Sequence, residues 1–150
     1  MRIFLDTNIF PEFIERRTQY ESVCKLLDAI HEGQFEAFLS NGSIYTLAFL
    51  FERSLKRQDI HRPTLTNRLR GYLLEVLELA KITALSHAEA ESAVLDTVFD
   101  DIEDSFQYHC ALECNSEVLI TINIGDFKRA DQRQIEILTP TAFANKYIDV

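Results

Sequence analysis

Cysteine is scarce in this chain of 150 residues: Cys24, Cys110 and Cys114 are the only three. An odd number without framework spacing excludes a disulfide-stapled fold and fits a reducing, cytoplasmic setting. The spacing of Cys110 and Cys114 beside His109 admits a metal site, but two small apolar residues buried by a helix are the better reading. Long apolar runs are also missing, and no stretch approaches the roughly 20 residues of a membrane span. Nor does the start show the charged-then-apolar pattern of a signal peptide. Repeats, low-complexity tracts and linkers are absent, so residues 1–150 are expected to form a single domain with a sizeable core. Basic charge is in deficit, with 15 Lys and Arg against 24 Asp and Glu and a net charge of −9. That balance excludes simple coating of a nucleic acid by surplus cations.

The deficit is uneven. Residues 52–71, ERSLKRQDIHRPTLTNRLRG, carry six Lys/Arg against two acids. Within them Lys56, Arg57, Arg68 and Arg70 are candidate contacts for a phosphate backbone or an acidic partner. An ordinary solvated helical surface is the alternative.

RIFL, at the start, is a short apolar run ended by polar residues, as a buried strand should be. FEAFLS, KITAL, EVLIT and IEIL repeat the pattern further along. Helical stretches lie between them. Residues 9–17 carry Pro11 in a first turn, where a missing N–H costs little. The Val23, Leu26, Leu27, Ile30 face is stopped by Gly33. Ile44, Leu47, Phe51 and Leu55 mark the next face, and Leu65, Leu69, Tyr72 and Val76 another. Ser86 and Glu89 are spaced as a capping box for a helix to about Val98. Asp104 to Cys114 follows, and Thr139-Pro140 starts a last helix. Strands alternating with helices predict an α/β fold with a mainly parallel sheet covered on both faces. Right-handed crossovers then set the strand C-termini along one edge, where ligands bind.

Asp6 directly follows RIFL, although a carboxylate is costly to bury unpaired. Asp101 and Asp104 are three apart and can share a helix face, while acids in a first helical turn also simply favour the helix dipole. Thr121, Asn123 and Asp126 follow the fourth strand, where such residues also serve as turn formers. Together Asp6, Asp104 and Asp126 gather on one sheet edge, and carboxylates so placed repel unless a cation joins them. Hard oxygen ligands suit Mg²⁺ or Mn²⁺. One or two such ions activate water and stabilise a phosphoryl transition state.

FLDTNIF, DDIEDSFQYHCAL and LITINIGDF, in this order and spacing, resemble the PIN-domain ribonucleases, including the VapC-type toxins of toxin–antitoxin pairs. The resemblance extends to the terminal IEILTPTAFANKY. It implies a PIN-like three-layer α/β/α sandwich and metal-dependent hydrolysis of RNA phosphodiester bonds. It also implies Asp6, Asp104 and Asp126 as catalytic and metal-site acids, with Asn8 supporting Asp6. Asn123 falls where the family has Asp or Asn. A small antitoxin protein and a second copy of the chain are the partners so implied. One departure stands out: many members carry a Glu early in the helix after the second strand, and Thr46 stands at or beside that place. Glu52 comes almost two turns later. A hydroxyl cannot replace a carboxylate's charge, so three acids suffice, Asp101 contributes, or the chain is a weakened member that binds without cleaving. An aspartyl-phosphate phosphatase is a poorer reading, because that chemistry usually has an acid two residues after the nucleophile, where Asn8 stands. His31, His61, His87 and His109 match no catalytic arrangement and are expected to be surface or incidental residues.

Overall fold

The computed structural model describes residues 1–150. Its strands are β1 (Arg2–Leu5), β2 (Glu36–Ser40), β3 (Ala80–Thr83), β4 (Val118–Ile120) and β5 (Glu136–Leu138). They form one sheet in the order β3-β2-β1-β4-β5, and every pairing is parallel. A wholly parallel sheet needs a crossover between successive strands. The crossovers use α1 (Ile9–Ile14), α2 (Tyr20–His31), α3 (Asn41–Arg57), α4 (Thr64–Leu79), α5 (His87–Leu95) and α6 (Ile102–Glu113). After β5, α7 (Pro140–Phe143) runs into a π-helical turn, Ala144–Ile148.

Alternation along the strands decides the layers, because successive residues point to opposite faces. Ile3, Leu5, Leu39 and Ile120 join a core with Val23 and Leu26 of α2, Leu47 and Phe51 of α3 and Phe143 of α7. Phe4, Phe38, Leu119 and Ile137 meet Tyr108, Cys110 and Ala111 of α6, with Phe99 and Phe127, on the other side. This is the three-layer α/β/α sandwich expected from the sequence. Strands buried on both faces read as unbroken apolar runs, and each fully buried Leu, Ile or Phe contributes roughly 1.5–3 kcal/mol.

Several element ends differ from the sequence expectation, each for a local reason. α1 stops at Ile14 rather than near residue 17, because Arg16 takes a left-handed backbone (φ 48°) and the Arg17 N–H turns back to the Glu12 carbonyl at 3.1 Å. α5 ends at Leu95 rather than Val98: Asp96 leaves the helix and its side chain accepts from the Val98 N–H at 3.2 Å. α6 begins at Ile102, two residues before Asp104, because Asp101 caps it by accepting from the Glu103 N–H at 2.8 Å. The capping box at Ser86 is only half made. Ser86 Oγ accepts from the Glu89 N–H, but the Ser86 N–H donates to Glu113 while Glu89 turns to His109. Gly33 ends α2 as expected, with φ 78° and the paired backbone bonds to Ile30 and Ala29 that such a cap requires. No helix is long and apolar enough to cross a membrane.

The strand order places the site. From β1 the chain winds outward through β2 and β3, then returns across β1 to add β4 and β5 on the other side. Winding therefore reverses between β1 and β4, and the crevice beyond their C-terminal ends is the position where open α/β sheets bind ligands.

Candidate active site

Asp6 leaves β1 into that crevice, its N–H still held by the Ile120 carbonyl of the neighbouring strand at 2.9 Å. Asp6 is 5% exposed, and its carboxylate is gripped by three donors. Oδ1 accepts from the Thr7 N–H at 2.8 Å and Gln107 Nε2 at 3.1 Å, while Oδ2 accepts from Thr121 Oγ1 at 2.7 Å. Burial pushes its pKa up, and the bonds from Thr121, Gln107 and Thr7 oppose that rise. Asn8 supports Asp6 at one remove. Its side chain approaches Thr121 Oγ1 at 3.5 Å and accepts from the Ile122 N–H at 3.2 Å, which ties the β4 exit to the β1 exit. Asn123 also bonds to Thr121, through its N–H at 3.1 Å.

Gln107, which the sequence pattern does not single out, organises the site. It is 7% exposed, and its Nε2 lies within 3.1 Å of Asp6 Oδ1, Thr7 Oγ1 and Ser43 Oγ. Ser43 in turn meets Ser40 Oγ at 2.8 Å and Thr7 Oγ1 at 2.5 Å. Ser40 is the cap of α3, accepting from the Ser43 N–H, so β2, α3, β1 and α6 are joined by one buried polar network. The sequence did carry a signal: Gln107 is three residues after Asp104 and so shares its helix face.

Asp104, in the first turn of α6, is half-buried and its carboxyl is pushed up to about 7. Burial is the main cause, followed by the charges of Asp6, Asp101, Asp126 and Glu103. Asp126 sits exposed on a 3-10 turn, Ile124–Phe127, after β4. A cavity of about 630 Å³ brings Asp6, Asp101, Asp104, Asn123 and Asp126 into one wall. α3 adds no acid to it. Thr46 lines the cavity, its hydroxyl 3.5 Å from the Gly42 carbonyl, whereas Glu52 pairs with Arg62 and Lys56 outside it.

The basic segment is placed mostly elsewhere. Arg53 lines the cavity, but Lys56, Arg57, Arg68 and Arg70 do not, and all four are exposed. Lys56 pairs with Glu52, and Arg70 bonds Asn67 at 3.3 Å. His109 departs from the expectation of a surface or incidental histidine. Its side chain is 12% exposed and its ring lies between Glu89 at 3.2 Å and Asp96 at 2.8 Å, locking α5 to α6. That leaves no ring nitrogen for a metal beside Cys110 and Cys114. Cys110 is buried, and burial pushes its thiol up to about 12, so it behaves as a small apolar residue.

The donor set suits a hard divalent ion, being carboxylate oxygens whose mutual repulsion already raises Asp104. As arranged, no three of the His, Cys, Asp and Glu side chains lie close enough to ligate one ion directly.

The fold recurs in known structures. VapBC2 from Rickettsia felis, bound to a DNA fragment from their promoter, superposes with a TM-score of 0.65 at 17% identity, covering 93% of this chain and 98% of that one. VapBC-1 from nontypeable Haemophilus influenzae gives 0.62 at 17% identity, covering 94% and 99%. At that identity the likeness concerns the fold. No curated protein sequence matches the chain. The PIN domain model matches residues 2–125, a span that holds Asp6, Asn8, Asp104, Gln107, Thr121 and Asn123. On that match, over most of its length, the chain belongs to the PIN-domain family.

Proposed function

We propose that the protein is an Mg²⁺- or Mn²⁺-dependent endoribonuclease. The observation that supports this most is the meeting of Asp6, Asp104 and Asp126, from three separate segments, in one cavity at the winding reversal. Asp6, Asp104 and Asp126 are the residues that would hold the ion, with Asp101 beside them in the same cavity. The ion, when bound, neutralises phosphate charge and lowers the pKa of its water. The chain's own contribution is positional. Thr7, Gln107 and Thr121 fix both oxygens of Asp6 before any ligand arrives, so little reorganisation is needed on binding. Purified protein with Mn²⁺ should cut an RNA panel, and chelator should stop it. Cleavage that persists in excess chelator rejects the metal dependence.

The family and the VapBC likeness favour a toxin role with a small antitoxin protein as partner, and a second copy of the chain as a further one. A small gene immediately upstream, and relief of growth arrest on co-expression, test that role. One observation favours a second reading, a PIN-fold protein that binds RNA or a regulatory partner without cutting. The α3 wall offers Ser43 and Thr46 where a further carboxylate is expected. Complete inactivity across RNAs and both metals, with RNA binding retained, selects that reading.

A further inference from the structure

We propose that an RNA strand crosses the acidic site along a groove with a basic contact at each end, Arg53 on one side and the pair Lys128 and Arg129 on the other. This rests on the nucleic-acid reading above and assigns its contacts. A second, smaller cavity of about 230 Å³ shares Asp101, Asp104 and Asp126 with the main one. These three acids line both hollows and so form the saddle where the two adjoin. Beyond the saddle the small hollow is walled by Asp100, Gly125, Lys128 and Arg129. Arg53, from α3, and Arg17, which follows α1, line the main cavity and not the small one.

Pairing separates these cations. Eight of the fifteen Lys and Arg side chains are engaged in ion pairs, among them Arg17 with Glu15. Arg53, Lys128 and Arg129 are not. Arg53 rests over the Phe49 ring at 5.7 Å instead. Lys128 and Arg129 share a hollow with four aspartates, yet neither takes part in any ion pair of the chain. Their charges are thus held beside the acids without being cancelled by them. A strand whose reacting phosphate lies over the saddle places its flanking phosphates against these free cations. In a chain of net charge −9, such local positive ends are what draw a polyanion to an acidic centre. Lys56, Arg57, Arg68 and Arg70 line neither hollow and are assigned no part in this path.

The test uses the full chain with Mn²⁺ and a labelled single-stranded RNA, reading KM, kcat and the salt dependence of binding by anisotropy. The double variant Lys128→Gln, Arg129→Gln should flatten the salt slope by ~1.4, or ~0.7 per lost single-strand contact, and weaken binding about 25-fold at 0.1 M salt. KM should rise in step while kcat stays near wild type. The charge-keeping pair Lys128→Arg, Arg129→Lys should restore the slope, which a mere folding defect would not allow. The quadruple Gln variant of Lys56, Arg57, Arg68 and Arg70 should keep the wild-type slope. If wild type cuts RNA but the double variant keeps its KM and slope, the path is overturned while the nuclease reading stands. A slope lost only in the quadruple variant overturns it equally. Absence of cutting, with binding that still weakens in the double variant, upholds the path and rejects cleavage. A wild type that neither binds nor cuts RNA overturns both.

Discussion

Without metal, this protein should become less stable as the pH rises from about 5 to about 7.5. The reason lies at Asp104, whose carboxyl is pushed from 3.8 to about 7 by burial and by the neighbouring acids. Between those values the folded chain binds more protons than the unfolded chain, so stability falls with rising pH and levels off above pH 7. Asp6, raised by burial, acts in the same direction. The full displacement would correspond to ~4 kcal/mol. Asp104 is only half-buried, and screening by water reduces this to ~2 kcal/mol, or roughly 6 °C in melting temperature for a domain of this size. The exposed Asp131, lowered to about 2 by Arg133, loses its contribution only below about pH 4 and does not disturb this window. The assay is thermal or urea unfolding in chelator at several pH values, for wild type and Asp104→Asn. Asp104 makes no side-chain hydrogen bond that Asn would break, so the variant should fold and lose most of the slope. Saturating Mn²⁺ should flatten the wild-type profile, since the ion neutralises the same repulsion. A metal-free stability that is level or rising across this range, or an Asp104→Asn protein with the wild-type slope, refutes the reasoning.

Asp6→Asn should fold with a stability change under ~1 kcal/mol at neutral pH, because an amide oxygen can accept from Thr7 and Gln107 while its NH₂ faces Thr121. Its melting temperature should no longer rise with Mn²⁺; unfolding without metal would make Asp6 structural. Gln107→Leu removes the donor shared by Asp6, Thr7 and Ser43 and should cost ~2–3 kcal/mol in urea unfolding. Gln107→Glu should be still less stable in chelator at neutral pH but gain more from Mn²⁺, and an equal Mn²⁺ response in both proteins would count against a metal at Asp6. His109→Phe leaves Glu89 and Asp96 without their partner and should cost ~2 kcal/mol at neutral pH, with hydrogen exchange rising first in α5. Unchanged protection in α5 would show that His109 is not what locks it to α6.

The sequence by itself determined the alternation of strands and helices, because unbroken apolar runs and helical periodicity are local properties that burial imposes on each segment. It also supported the expectation that Asp6, Asp104 and Asp126 share one sheet edge, and the three line one cavity. Helix ends were less legible. Arg16, Asp96 and Asp101 redirect the chain through single side-chain or backbone bonds, which no periodicity encodes. What only the tertiary structure decided is which distant groups meet. Thr121 reaches Asp6 across 115 residues because β4 pairs with β1, and Gln107 reaches it across 101 because α6 packs over that pair. The basic residues divide in the same way. Of the conspicuous basic segment 52–71 only Arg53 lines a hollow beside the acids, while Lys56, Arg57, Arg68 and Arg70 do not, and Lys128 and Arg129, outside that segment, do. Local composition records how many charges a segment carries; strand order and crossover packing fix which of them share a cavity.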